Sequence, residues 1–114
     1  MGFSVIRETE DYSQVALSGR LDAPGVEAIE SDFMEHTSAR RKHALVDFSE
    51  VTFIASMGIR MLIRTAQTLR LAEVKLVLIK PQPLVVNALE IAGLTSLLLI
   101  APDAMQAEAL LAND

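Results

Sequence analysis

The pattern of apolar and polar residues along the chain changes repeatedly between the period of a strand and the period of a helix. Five segments alternate or run continuously apolar over a short length, as strands do. The first two are separated only by TEDYS, which predicts a hairpin, whereas the later three are nearly continuous in apolar residues, as in buried parallel strands. These five segments are FSVIRE, SQVALSG, HALVDFS, VKLVLIK and LLLI.

Four further segments have apolar residues at helical spacing. They are PGVEAIESDFMEHT, residues 57–71, PLVVNALEIAG and DAMQAEALL. Pro24 suits a first helical turn, and Gly93 closes the third helix with Leu94 as the usual hydrophobic partner of a glycine C-cap. The order β-β-α-β-α-β-α-β-α predicts one α/β domain over residues 1–114. We expect a mixed, mostly parallel sheet of about five strands with about four helices.

The helix over residues 57–71 follows a strand end, where parallel sheets place their functional sites. At about 100° per residue, one side is apolar and is predicted to face the sheet: Ile59, Leu62, Ile63, Ala66 and Leu69. The other side is predicted to face solvent: Met57, Arg60, Met61, Arg64 and Thr68. Methionine adapts to the contours of a partner. Two methionines beside two arginines therefore indicate a docking surface.

Ser56 directly precedes this helix. One interpretation is an N-cap, in which the serine oxygen accepts a hydrogen bond from an early backbone N–H group. The other is a modification site, because a helix start attracts negative charge and would tolerate a phosphoryl group. Gly58 in the first turn is expected to leave backbone accessible beside Ser56. The residues alone leave both interpretations open.

Nucleophilic catalysis at Ser56 would need a base within reach. The histidines, His36 and His43, are expected at the opposite end of the sheet, and IASMG lacks the first glycine of a nucleophile elbow. Asp47 is interpreted as a strand-end or turn residue. Asp22 is interpreted as a cap or turn former on the same edge as Ser56. No cluster of His, Cys or acidic residues suggests a metal site, and no cofactor is expected.

Charge and composition argue against several classes of function and location. The chain has 15 acidic and 10 basic residues and a net charge of -5, which argues against a nucleic-acid surface. It has no cysteine, and its first ten residues lack the features of a signal peptide. LTSLLLIA is too short to span a bilayer. We expect a cytoplasmic domain that does not insert into a membrane.

Three motifs resemble one known family over nearly the whole chain. They are Gly-x-Leu-Asp at residues 19–22, Asp-x-Ser-x-Val-x-Phe-Ile at residues 47–54 before Ser56 and Gly58, and Ala-Gly-Leu at residues 92–94. In this combination the chain resembles a STAS domain of the anti-sigma-factor antagonist type. Two positions depart from the common pattern: Ala55 stands where an aspartate is frequent, and Met57 where serine or threonine is frequent.

The resemblance implies a regulator and not an enzyme. Its partner would be an anti-sigma factor that is also a serine kinase, and the kinase would phosphorylate Ser56 and so lose affinity for the protein. A PP2C-type phosphatase would restore binding. Asp22 matches the family aspartate near the phosphoacceptor. Together with the residues singled out on the helix, this gives the expected partner-binding residues: Asp22, Met57, Gly58, Arg60, Met61 and Arg64. The alternative is a non-phosphorylated STAS adaptor subunit of a membrane ATPase complex that transports lipid.

Overall fold

The computed structural model describes residues 1–112 of the chain. Five strands form one sheet in the order β1-β2-β3-β4-β5. The strands are β1 (Gly2–Glu8), β2 (Tyr12–Leu21), β3 (His43–Ile54), β4 (Leu76–Ile79) and β5 (Leu99–Ala101). The helices are α1 (Ala23–His36), α2 (Ser56–Leu71), α3 (Pro83–Ile91) and α4 (Ala104–Leu111), and short 3₁₀ turns occupy Ser38–Arg40 and Leu94–Ser96.

The strand directions confirm the predicted mixed sheet. β1 pairs antiparallel with β2, and β2, β3, β4 and β5 are parallel to their neighbours. The predicted closure of the third helix is also confirmed, because Gly93 has the left-handed φ of 78° and Leu94 is fully buried. The fold is therefore α/β with four helices, as the element order predicts.

Alternating strand residues build a separate core on each face of the sheet. Ala44, Val46 and Phe48 of β3 lie in the larger core, which the buried residues of α1, α2 and α3 complete. Leu45 between them lies in the smaller core, with Ala107 of α4. Because successive strand residues point to opposite faces, α1, α2 and α3 cover one face and α4 covers the other.

β3 is longer than the sequence predicts, and this corrects the interpretation of Asp47. The strand continues to Ile54, so Asp47 lies within it and not at its end. The polar residues Ser49 and Glu50 hide the continuation in the sequence. Past Asp47 the strand pairs with β2 alone, because the pairing with β4 stops at Asp47 and Ile79. Within the strand, the Ser49 N–H donates to Asp47 Oδ1 at 2.8 Å.

No helix within residues 1–112 is long and apolar enough to cross a membrane. In the same part of the chain, no group of three or more His, Cys, Asp or Glu residues is arranged to hold a metal ion.

Candidate functional site

The carboxyl ends of β2 and β3 lie side by side and position the starts of two helices. Leu21 and Ile54 are partners in the parallel register. One residue further on, the Ala55 N–H donates to the Leu21 carbonyl at 3.0 Å. Asp22 and Ser56 therefore emerge at the same edge of the sheet, as the sequence predicts, and α1 and α2 begin beside each other.

Asp22 is the N-cap of α1. Its Oδ1 accepts a hydrogen bond from the Gly25 N–H at 3.0 Å, and its Oδ2 lies 3.4 Å from Nε of Arg20. The Arg20 guanidinium in turn lies 4.2 Å from the ring centroid of Phe53 on β3. The Gly25 N–H is the main reason why the pKa of Asp22 is lowered, and Arg20 adds to the effect. Asp22 is therefore held in place by hydrogen bonds and favours its charged form.

Ser56 is exposed and is the first residue of α2, not its N-cap. The N-cap position belongs to Ala55, which has an extended backbone (φ −118°, ψ −177°). Its carbonyl oxygen accepts a hydrogen bond from the Ile59 N–H at 3.0 Å. The cap interpretation of Ser56 is therefore wrong, because the helix begins one residue earlier than predicted. Within residues 1–112 the Ser56 hydroxyl makes no hydrogen bond, so it is available for chemistry.

The start of α2 also lacks the side-chain acceptor that Asp22 provides for α1. Ala55 has no polar side-chain atom, and no other side chain caps the helix. The N–H groups in the first turn of any helix have no partner within the helix. Their partial positive charge next to Ser56 favours an anion.

The solvent side of α2 carries part of the predicted docking surface. Met57 is 38% exposed, and Arg60 and Arg64 are exposed. Nη2 of Arg64 lies 2.5 Å from Oε2 of Glu30, which belongs to α1. We call Met57, Arg60 and Arg64 the α2 face.

Met61 does not lie on the α2 face, and this prediction was wrong. It is fully buried in the larger core, as are Leu62 and Leu69. The buried arc of α2 also contains Thr65, whose hydroxyl donates to the Met61 carbonyl at 2.9 Å. The centre of the buried arc is therefore shifted around the helix axis by about 65° from the predicted one, taking about 100° per residue, although Leu62, Ala66 and Leu69 are buried as predicted.

The close packing of Gly58 explains this rotation. It also corrects the prediction that Gly58 leaves backbone accessible beside Ser56. It is buried, and a Cβ atom at this position would lie 2.6 Å from the Leu21 carbonyl oxygen and 2.8 Å from Leu21 Cγ. Only glycine allows the helix to approach the end of β2 so closely. Gly58 therefore packs inward and does not offer accessible backbone beside Ser56.

The two histidines lie where the sequence places them, at the other end of the sheet. His36 is the last residue of α1 and His43 is the first residue of β3. Ser56 lies just beyond the carboxyl end of this twelve-residue strand and His43 lies at its amino end, so the length of β3 separates the two side chains. Neither histidine can act as a base for Ser56.

Sequence reasoning did not identify Arg20, Phe53 and Glu30 as parts of the site. Arg20 and Phe53 are cross-strand partners, and the sequence gives no sign of their register. Glu30 reaches Arg64 from another helix. The one available signal was that acidic residues on α1 occur opposite arginines on α2.

Comparison with known proteins identifies the family. The STAS domain family matches residues 4–107. No curated protein sequence matches the chain. An anti-sigma-factor antagonist (STAS) domain protein from Planctomyces limnophilus has 19% identity and a TM-score of 0.83, with 97% of this chain and 98% of the other covered.

Two more solved structures have the same fold. SpoIIAA is an anti-sigma factor antagonist whose unphosphorylated form has 19% identity and a TM-score of 0.76, over 96% of each chain. Its phosphorylated form, from Bacillus, has 18% identity and a TM-score of 0.68, over 96% of this chain and 99% of the other.

The murine Solute Carrier 26 family member A9 anion transporter has 18% identity and a TM-score of 0.78, over 95% of this chain but only 19% of the transporter. At these identities the structures show a shared fold and no more. The family match, in contrast, covers most of the chain. The protein belongs to the STAS domain family.

Proposed function

We propose that this protein is an anti-sigma-factor antagonist that binds an anti-sigma serine kinase and is switched by phosphorylation of Ser56. The observation that carries the proposal is the exposed Ser56 hydroxyl at the uncapped start of α2, next to the α2 face. The unphosphorylated protein binds the kinase and is not an enzyme. A PP2C-type phosphatase returns the phosphorylated form to the binding state in the cytoplasm.

The geometry supports a phosphate on Ser56. The hydroxyl has no competing hydrogen bond, and the first turn of α2 has no side-chain acceptor for its N–H groups. A phosphoserine adds about −2 charges and strong acceptor oxygens. At the positive end of the helix these oxygens are stabilised, so the fold can carry the modification.

The same phosphate would weaken partner binding. Met57 follows Ser56 directly and offers apolar surface, while Arg60 offers a cation with no acidic partner in the described residues. A partner that fits this surface buries Met57 and places an acidic group near Arg60. A phosphate at Ser56 would need desolvation there and would repel that acid. Only about 1.4 kcal/mol is needed for a tenfold loss of affinity.

Similarity to the solved structures supports the same role. Two of the matched structures are described as anti-sigma factor antagonists, and one of these proteins was also solved in a phosphorylated form. In this chain, Asp22 would act indirectly. It fixes the start of α1 beside Ser56 and contributes a constant negative charge at the site.

The alternative function is a STAS adaptor subunit of a membrane ATPase complex that transports lipid. Two observations favour it: a region of an anion transporter has the same fold, and Ala55 at the N-cap supplies no hydrogen-bonding group beside Ser56. In that case the α2 face docks on the complex and Ser56 is never phosphorylated.

The test starts with isolation of partners from the native cell with the wild-type protein. A kinase-like partner is then incubated with the protein and ATP, and the phosphate is mapped by mass spectrometry. We expect phosphate on Ser56, retained binding by Ser56→Ala, and at least about tenfold weaker binding by Ser56→Asp. Ser31→Asp adds the same charge to an exposed position of α1 and should bind normally.

Other outcomes overturn the proposal. Phosphate on Ser49 or Thr52, or on no residue, together with full binding by Ser56→Asp, would exclude the switch. Recovery of a transporter ATPase as the partner would support the adaptor function.

A further inference from the structure

The two edges of the sheet are protected differently. β1 carries a register irregularity between Val5 and Arg7, and its last two residues are charged. Bulges and charges of this kind prevent an edge strand from pairing with another chain. At the other edge, no charged residue occurs from Leu94 to Pro102. β5 therefore lacks both of these protections and relies only on being short.

The backbone of β5 offers one complete pairing site at its open edge. The Lys80 N–H of the chain after β4 donates to the Ala101 carbonyl at 2.8 Å, and Val77 and Ile79 pair with Leu99 and Ala101. In a strand, the N–H and C=O groups of one residue point to the same side. Leu99 and Ala101 therefore face β4, and Ile100 directs both groups outward.

This arrangement is self-complementary. In an antiparallel pair, two directly opposed residues exchange both N–H···O=C bonds. A second copy of the chain, related by a two-fold axis through Ile100, presents an identical pair of groups in the required orientation. Two hydrogen bonds would then form, one in each direction, between the two Ile100 residues.

The side chains around Ile100 supply apolar area. Ile100 is 38% exposed, Leu99 is 37% exposed and Met105 at the start of α4 is 79% exposed. An open cavity of about 440 Å³ lies beside the strand, lined by Pro81, Ile100 and Pro102 among others and bordered by the exposed Lys80. We call Leu99, Ile100, Pro102 and Met105 the β5 surface. Leu99 and Ile100 point to opposite faces of the sheet, so this edge exposes apolar side chains on both faces, and exposed apolar area of this kind indicates a binding surface.

Charges at the two ends of β5 also match this arrangement. In this antiparallel arrangement the chain that follows β5 in one copy runs beside the chain that precedes β5 in the other, so Asp103 of one copy comes near Leu97 of the other. Leu97 shares a cavity of about 290 Å³ with Arg70, which has no acidic partner in the described part of the chain. Asp103 caps α4 through Oδ1 alone, 2.8 Å from the Gln106 N–H. Its other oxygen can face Arg70 of the second copy, and two-fold symmetry forms this ion pair twice.

We propose that the β5 surface joins two copies of this chain into a symmetric dimer with one continuous sheet of two five-stranded halves. The interface would use the carboxyl end of α2. Met57 lies thirteen residues before Arg70 on the same helix, which is about 20 Å at the rise of an α-helix. Both α2 faces therefore remain open for partners, and the dimer does not depend on the proposed function.

A cysteine cross-link tests the geometry directly, because the natural chain has no cysteine. Opposed residues of a hydrogen-bonded antiparallel pair have Cα atoms about 5.5 Å apart, within the range of a disulfide. With oxidised glutathione, Ile100→Cys should give a covalent dimer in high yield. Val5→Cys is the matched control, since Val5 has similar exposure, 45%, on the opposite edge strand, and it should remain mostly monomeric.

Sedimentation equilibrium tests the association without a cross-link. The wild-type protein should dimerise reversibly, Ile100→Lys should raise the dissociation constant by about tenfold or more, and Val5→Lys should leave it unchanged. A wild-type protein that stays monomeric at its highest soluble concentration would overturn the proposal. Equal cross-linking of the two cysteine variants, or equal association of the two lysine variants, would overturn it as well.

Discussion

Ala55 and Asp22 occupy the same structural position in neighbouring helices but give their helices different starts. Each is an N-cap with an extended backbone at the end of a strand. Asp22 supplies an acceptor for an N–H group of α1, whereas Ala55 supplies none for α2. The unsatisfied positive end of α2 therefore results from one side chain. It is also the feature on which the proposed phosphorylation of the neighbouring Ser56 rests.

Substitutions at these caps should change stability in opposite directions. Ala55→Asp adds an acceptor for the N–H groups of α2 and should raise the free energy of unfolding by about 1 kcal/mol. Asp22→Ala removes the acceptor from α1 and should lower it by about the same amount. Ser56→Ala is the control and should change it by about 0.5 kcal/mol or less, because Ser56 is not a cap. Chemical denaturation measures all three. A loss near 1 kcal/mol for Ser56→Ala would contradict the assignment of the cap.

α2 shows what the sequence determines about an element and what it does not. Its length and its helical period were predicted from the apolar pattern, with an error of one residue at the start. Its rotation was not, because the residues that set it carry no apolar signal. Gly58 and Thr65 both face the core, the first through a close contact with β2 and the second through a hydrogen bond within the helix. Neither effect can be read from periodicity.

The two methionines of α2 provide a test of this rotation. Met61→Ala should lower the free energy of unfolding by about 2–5 kcal/mol, because it leaves a cavity in the larger core. Met57→Ala should change it by about 0.5 kcal/mol or less. Thermal or chemical denaturation of the two variants under the same conditions gives the comparison. Equal small losses would show that Met61 is on the surface after all.

At the scale of the whole molecule, the sequence was sufficient for the fold. Element order, the single antiparallel strand and the glycine closure of α3 follow from apolar periods and turn residues. The length of β3 and the ion pairs between distant segments were not predictable in this way. They depend on which segments become neighbours. Glu8, for example, binds Arg40 at 2.7 Å and Lys42 at 3.1 Å, and so ties the first hairpin to the chain that enters β3.

The ion pairs of Glu8 with Arg40 and Lys42 should make the stability of the fold depend on pH in the acid range. The hydrogen bond from Lys42 is the main reason why the pKa of Glu8 is lowered from 4.5, and Arg40 adds to it. A lowered pKa means that the folded state favours the charged form. The ionised Glu8 therefore stabilises the folded state at pH values above the pKa that Glu8 has in the unfolded chain. This stabilisation is lost as the pH falls through the lower pKa of the folded state.

We expect Glu8→Gln to be less stable than the wild-type protein at neutral pH and to lose less stability between about pH 5 and pH 3, around the ordinary pKa of a glutamate. Urea denaturation across this range measures the difference. Glu10→Gln is the matched control, because Glu10 is exposed and belongs to no ion pair in the described residues. If the free energy of unfolding of Glu8→Gln and of Glu10→Gln depends on pH in the same way, the ion pairs of Glu8 contribute nothing to stability.

The extension of β3 beyond β4 has a consequence for where the molecule can open. The strand is held on both sides up to Asp47, and from Phe48 to Ile54 it has one neighbouring strand. Local opening costs less free energy where fewer backbone hydrogen bonds must break. Amide protons should therefore exchange faster at the Ser56 end of the strand than in its first half. The proposed phosphate or partner would therefore act on the end of β3 that opens more easily, while the first half of the strand stays paired on both sides.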